Sequence, residues 1–315
     1  MKPGDRIKVF APATVANVAC GYDVLGFAID KPGDELIMEL TQEKGVQIVD
    51  IEGDGGVLPR DPYKNSATVA IMDYLACIDA DFGCKVWIKK MMPSGSGLGS
   101  SAASAVAGVY AINMLCNERL TKHEMLPFLL NAEKAACDAA IADNVAASLF
   151  GGFILVRSYE PLDVIQIPVP EELWCAVINP DVIVLTKEAR EILPKEIPLS
   201  KSLRQSANVG GLMVGLLRGD YDLIGRSLVD YIAEPYRSKL IPGFYEMKNA
   251  AIQAGALGSS ISGSGPSVFA LCKGKEVAEK AGTAMKAVME SMNIGAEVYV
   301  SKVNPAGPRV LPFVD

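Results

Sequence analysis

The sequence predicts a chain of mixed helices and strands in two domains. Its length, 315 residues, exceeds the roughly 100–200 residues usual for one domain. Period-2 and helical stretches are interleaved without the regular β-α alternation of a barrel. A proline-rich stretch over residues 158–171, in "SYEPLDVIQIPVPEE", marks a boundary. Half the residues are hydrophobic, enough for a sizeable core. No tandem repeat or long low-complexity tract occurs.

A strand is expected over residues 6–10, stopped by Pro12 and followed by a loop of small residues. "DELIMEL" and "VQIVDIEG" alternate apolar and polar, as half-buried strands do. Asn65 or Ser66 can cap a helix through "ATVAIMDYLA". "CKVWIKKM" reads as a strand feeding "PSGSGLGSSAAS" at 93–104, and helices are expected over about 101–115 and 124–140. "GGFILVRSY" is a strand after a glycine turn. Beyond the boundary, "LWCAVINP", "SVFALC" and "AEVYVSKV" read as strands. "TKEAREIL" opens a helix, and others are expected near 201–217, 220–231, 242–254 and 275–292. "SGSGLGSS" at 94–101 is echoed loosely by "LGSSISGSGPS" at 257–267.

The formal net charge is −7 and no basic block occurs, which argues against a nucleic-acid partner. Seven cysteines, at 20, 77, 84, 116, 137, 175 and 272, form no C-x-x-C pair and read as mostly buried free thiols in a reducing, cytoplasmic setting. The single histidine, His123, follows Thr121 and Lys122 at a helix start and reads as a surface residue. That argues against a Cys/His zinc site, and with no G-x-S-x-G elbow it disfavours a Ser-His-Asp hydrolase. The N-terminus has no apolar leader, and the longest apolar run, residues 102–116, is too short to span a membrane.

The Gly/Ser loop joins a strand to a helix without spacer. Helix N-termini carry free N–H groups and partial positive charge, so such a loop can cradle phosphate, although a flexible linker is the plainer reading of the composition alone. It lacks the lysine of G-x-x-x-x-G-K-[ST]. It also fails G-x-G-x-x-G, because Ser100 stands where the third glycine belongs.

A third pattern fits. "PSGSGLGSSA" resembles the phosphate loop of the GHMP kinases, the family of galactokinase, homoserine kinase, mevalonate kinase and phosphomevalonate kinase. "FAPATVANVACGYDVLGFAI" resembles the first motif of its homoserine kinase branch, and "ALGSSISGSGPSVFAL" the family's third motif. The resemblance covers residues 6–305. It implies an α+β fold in two parts, residues 1–160 like the second domain of ribosomal protein S5 and residues 161–315 ferredoxin-like, with the active site between them. It also implies ATP-dependent phosphorylation of the side-chain hydroxyl of L-homoserine, with Mg²⁺, in a homodimer.

Residue by residue, the resemblance assigns Pro93, Ser94, Gly95, Ser96, Gly97, Leu98, Gly99, Ser100 and Ser101 to the ATP phosphates and, more loosely, Asn65 to the adenine. Ser101 and Glu133 match the Mg²⁺ ligands. By spacing alone Ser101 is a helix cap and Glu133 a solvated glutamate, although Ala132, Ala135, Ala136 and Ala140 leave a small-residue surface around it. Asp23 would face the substrate ammonium, and Asn17 and Asn144 would orient the alcohol or the amino-acid backbone. All three are also plain turn and helix-end residues. Arg190 and Arg237 would grip the carboxylate, and Thr186 is a helix cap or a substrate contact. Arg190 falls in the first turn or so of its expected helix, the end disfavoured for a cation, which hints at an anionic partner, with Glu188 and Glu191 as nearby alternatives.

Asn144 and Thr14 stand where the mevalonate branch has an acid and a lysine. Neither side chain is a base near neutral pH. Ile141 stands where many homoserine kinases have histidine. The implied chemistry is direct in-line transfer without a strong base, Asn144, Ser101 and Glu133 forming the catalytic set. Asp143 is the alternative proton acceptor. Two other readings stay open on the sequence: a GHMP kinase for mevalonate or a sugar, and a non-catalytic nucleotide-binding protein on the same fold.

Overall fold

The computed structural model describes residues 2–137 and 140–313. Its first half is built on the strands β1 (Arg6–Ala16), β2 (Leu25–Thr41), β3 (Gly45–Glu52), β4 (Gly83–Lys89), β5 (Phe153–Tyr159) and β6 (Leu162–Ile167) and the helices α1 (Ser66–Cys77), α2 (Ser100–Leu115), α3 (Lys122–Cys137) and α4 (Ala142–Phe150). β1 and β2 pair antiparallel with Val9 opposite Leu36 and Val15 opposite Phe27. β1 does not stop at Pro12 as expected. The register slips between Pro12 and Thr14, and such an irregularity tolerates a residue with no N–H to give. β3 and β4 run parallel, with α1 as the crossover.

α2 is buried on nearly every side, and its small residues allow close helix contact. A Cβ on Gly108 would sit 2.9 Å from Ile71 Cδ1 and 3.0 Å from the Ala67 carbonyl oxygen. Asn65 caps α1, its side chain accepting from the Ala67 N–H. α3 ends at Cys137, and residues 138 and 139 of the expected longer helix lie outside the described residues.

The second half contains β7 (Leu173–Pro180), α5 (Thr186–Glu191), α6 (Leu199–Arg218), α7 (Tyr221–Ser227), α8 (Glu234–Arg237), α9 (Phe244–Gln253), β8 (Gly258–Ile261), β9 (Val268–Lys273), α10 (Lys275–Ser291), β10 (Ala296–Lys302) and β11 (Arg309–Leu311). The antiparallel order β10-β7-β9-β8 is the split β-α-β-β-α-β arrangement of ferredoxin-like folds. This is the expected α+β architecture. Alternation along β7 and β9 divides the core: Ala176, Ile178, Val268 and Ala270 pack with α9 and α10. Cys175, Val177, Phe269 and Leu271 join the core of the first sheet.

β6 pairs antiparallel with β5, so the proline-rich stretch contains a hairpin of the first sheet, and the chain leaves that sheet only after Ile167. β11 then returns to pair with β1. Too little apolar patterning marks β6, β8, β11 and α8 for them to stand out in the sequence. α7 stops at Ser227, short of the expected 231. The cysteines at 20, 77, 84, 175 and 272 are free thiols, and Cys20, Cys84, Cys175 and Cys272 are buried, whereas Cys77 is exposed. No helix among the described residues is long and apolar enough to cross a membrane.

Candidate active site

Between β4 and α2 the chain turns through residues 90–99, and Gly99 takes the N-cap position of α2 with φ +66° and no side-chain cap. The leading N–H groups of the helix are therefore left without a capping side chain, as anion binding requires. Gly97, at φ +77°, has no room for a Cβ, which would meet the Ser262 and Gly265 carbonyl oxygens at 2.5 and 2.8 Å. The two echoing segments of the sequence thus pack against each other. The Ser262 hydroxyl donates to the Gly97 carbonyl at 2.7 Å, and the Ser267 N–H to the Ser96 carbonyl at 3.2 Å.

A cavity of about 520 Å³ opens over this loop, lined by residues 94–97 and 99–101. Pro93 and Leu98 stay out of it. Leu98 is fully buried in the core while its carbonyl accepts the Thr14 N–H, and Pro93 accepts the Ser96 N–H. Asn65 reaches the cavity, but its amide is committed to capping Ala67 and to the Pro59 carbonyl.

Glu133 is not a solvated helix glutamate: it is 8% exposed. Its Oε1 and the Ser101 hydroxyl, both in the cavity wall, are buried without a hydrogen-bond partner. Burial pushes the Glu133 carboxyl up to about 7, against the opposing pull of the neighbouring Ser101 hydroxyl and the Lys90 ammonium. Two buried oxygens left unsatisfied fit a hard cation. Mg²⁺ takes oxygen donors and completes its shell with water and phosphate oxygens, so the absence of a larger His/Cys/Asp/Glu cluster among the described residues is no obstacle.

Sequence reasoning missed Lys90. The loop has no lysine after its glycines, but this one lies before them. Its buried ammonium pairs with Asp34 and donates to the Ser100 carbonyl at 2.8 Å and the Ser104 hydroxyl at 2.7 Å. Burial lowers its pKa and Asp34 pulls it back up. The signal that could have found it is the period-2 alternation of "CKVWIKK", which puts Lys90 on the buried face of Cys84, Val86 and Ile88.

The residues expected to hold the substrate, Asn17, Asp23, Asn144, Thr186, Arg190 and Arg237, line the same cavity, and so does Asp143, the alternative proton acceptor. Asp23 and Arg190 face each other, with both guanidinium Nη atoms 3.4 Å from the carboxylate oxygens. α5 is only six residues long and Arg190 lies in its last turn, the end that favours a cation. The expected conflict with the helix dipole does not exist, and Asp23 is what holds the guanidinium. Leu185, not Thr186, is the N-cap. Arg237 is buried, donating to the Ala189 carbonyl at 2.8 Å and the Gly263 carbonyl at 2.9 Å, over the ring of Tyr22. Asn17 ties the first motif to the third: its amide donates to the Gly263 carbonyl at 2.8 Å and accepts the Asp23 N–H at 3.0 Å.

Asn144 sits beside Gly99 and Asp143. Its amide nitrogen donates to Asp143 Oδ1 at 3.1 Å, and its oxygen accepts the Thr14 hydroxyl at 2.7 Å. Burial first, then the Asp23 charge, push the Asp143 carboxyl up to about 7. Ile141 lines the cavity where the branch carries histidine. His123 is exposed, against the Phe150 ring.

A strand-fed glycine loop at a helix N-terminus, orphaned oxygens beside it and a charged pair across the same cavity describe a small-molecule kinase. The family model for the N-terminal domain of GHMP kinases matches residues 65–152, and that for their C-terminal domain matches residues 212–291. The chain belongs to the GHMP kinases, which use ATP as phosphoryl donor. Its full-length relatives are more particular. The homoserine kinase of Chlorobium phaeobacteroides is 47% identical over 317 residues, 97% of this chain and 99% of the relative. That of Pyrococcus abyssi is 39% identical over 94% of this chain and 96% of its own length. The crystal structure of homoserine kinase from Cytophaga hutchinsonii is 56% identical with a TM-score of 0.96, covering 99% of this chain and 98% of its own. L. major mevalonate kinase, solved with R-mevalonate, shares the fold at 17% identity and a TM-score of 0.71, covering 96% of this chain and 98% of its own.

Proposed function

We propose that this protein phosphorylates the side-chain hydroxyl of L-homoserine with ATP, by direct in-line transfer without a strong base. The observation that carries the reading is the Asp23–Arg190 pair in the cavity of the phosphate loop. An amino acid brings one charge of each sign. Its ammonium takes Asp23, its carboxylate takes Arg190, and each side chain exchanges one ionic partner for another. Arg237, already held by two carbonyls, keeps the floor of that site cationic. Neither mevalonate nor a sugar has an ammonium to offer Asp23. The names of the full-length relatives point the same way.

The N–H groups at the start of α2 hold the phosphates, and the Ser101 hydroxyl and Glu133 carboxylate hold Mg²⁺. When bound, Mg²⁺ neutralises charge on the phosphate oxygens. Asn144 orients the alcohol, whose oxygen attacks the γ-phosphorus as the bond to ADP breaks. Phosphoryl transfer has a loose transition state, so placement and electrostatic stabilisation supply most of the acceleration. The alcohol proton passes late to the transferred phosphate. The protein acts as a homodimer in the cytoplasm.

The test is ADP release with Mg-ATP and L-homoserine, L-serine, mevalonate or galactose. Turnover with L-homoserine alone supports the reading. Turnover with another alcohol keeps the ATP site and removes the substrate assignment. ATP binding without turnover on any of them makes the protein non-catalytic.

A further inference from the structure

Thr14 has no part in the chemistry just described, yet it is fully buried and its hydroxyl meets Asn144 across 130 residues of sequence. An asparagine amide is nearly symmetric in shape, and only its partners decide which end points where. Asp143, when ionised, only accepts, so it takes the Nδ2 end. The Oδ1 end is then fixed by a donor, and Thr14 supplies it at 2.7 Å. The contact is built over the start of α2. A Cβ on Gly99 would lie 2.1 Å from the Thr14 hydroxyl oxygen and 2.8 Å from Asn144 Oδ1. The Thr14 N–H also donates to the Leu98 carbonyl at 3.0 Å, which fixes the threonine to the phosphate loop itself.

We propose that Thr14 is a positioning residue. Its hydroxyl, passing over Gly99, locks the Asn144 amide in one orientation relative to the helix end that receives the phosphates. The idea rests on the assignment of Asn144 to the reacting alcohol. A loosened amide costs turnover more than binding, because misplacement of a reacting group is felt in the transition state.

The experiment compares steady-state kinetics of Thr14→Val, Thr14→Ser, Asn144→Ala and the Thr14→Val/Asn144→Ala double variant. Thr14→Val keeps the shape and loses the hydroxyl. We expect its kcat to fall tenfold or more while KM for ATP and homoserine stays within about twofold. Thr14→Ser should retain most of the activity, and the double variant should be no slower than Asn144→Ala. Wild-type kcat in Thr14→Val beside a disabled Asn144→Ala overturns the proposal while leaving Asn144 in place. So do losses that simply multiply in the double variant. Wild-type kcat in Asn144→Ala removes the Asn144 assignment, and the role of Thr14 with it. Should Thr14→Val not fold, Thr14→Ala is read against Thr14→Ser in the same way.

Discussion

Burial raises the Glu133 and Asp143 carboxyls in the cavity wall, and Asp143 gives that a measurable consequence. Its carboxyl is pushed from 3.8 to about 7. The folded protein therefore keeps a proton that the unfolded chain releases. Stability from this group is fully present below the unfolded value and is lost as pH rises through the folded one. The stability of wild type relative to Asp143→Asn should fall between about pH 4 and 7, on the order of 1 kcal/mol per pH unit, and level off above pH 7. Chemical denaturation of both proteins across that range checks it. In turnover, Asp143→Asn keeps an acceptor for the Asn144 amide, and near-wild-type kcat is expected if the phosphate takes the alcohol proton. Lys90 makes a different prediction. Replacing it with Met strands Asp34 without its cation in the core, which should cost about 3–5 kcal/mol. Adding Asp34→Leu should recover much of that, because the stranded charge is gone.

Among elements, the phosphate loop was the most legible feature, because its conformation demands particular residues at particular places. Gly97 and Gly99 are needed for both positive φ and close contact, and the sequence shows them as glycines. Gly99→Ala should cut turnover at least a hundredfold, since the new methyl strikes Thr14 and Asn144. Gly95→Ala has φ +73° but nothing within 4 Å, so it should cost only the roughly 1 kcal/mol of left-handed backbone. ADP release and thermal melts on the pair separate crowding from strain. Less was legible where contacts between distant segments decide the outcome. The pairing of Lys90 with Asp34, 56 residues away in the sequence, depends on how β2 and β4 are aligned. Pro194 shows that the helix opened by "TKEAREIL" must be short, but nothing local shows that Arg190 meets Asp23, 167 residues away in the sequence. The β5–β6 hairpin hid inside a stretch whose prolines read as a linker, although Pro161 lies in the turn and Pro168 just past β6, so that none interrupts a strand.

At the scale of the molecule, two sheets share one hydrophobic core, and this decides how the chain should unfold. Phe27 stacks on Phe153 within the first sheet and meets Phe269 of the second edge-on at 6.0 Å. The chain between β10 and β11 binds the halves again: the Asn304 N–H donates to the Ala28 carbonyl and its carbonyl accepts the Gly152 N–H. Neither sheet can expose its inner face without opening the other, so the protein should lose structure in one cooperative transition rather than two. The sequence supplies the probes, because it has two tryptophans, Trp87 on β4 and Trp174 on β7. Trp174→Phe leaves fluorescence reporting on the first sheet, and Trp87→Phe leaves it reporting on the second. The two urea midpoints should agree once each variant's own stability is measured by circular dichroism. Phe269→Ala sharpens the test. Emptying that site should cost about 3–5 kcal/mol, and both tryptophans should register the loss equally. A shift seen by Trp174 alone would mean that the halves fold independently and that the aromatic contact between them carries little of the stability.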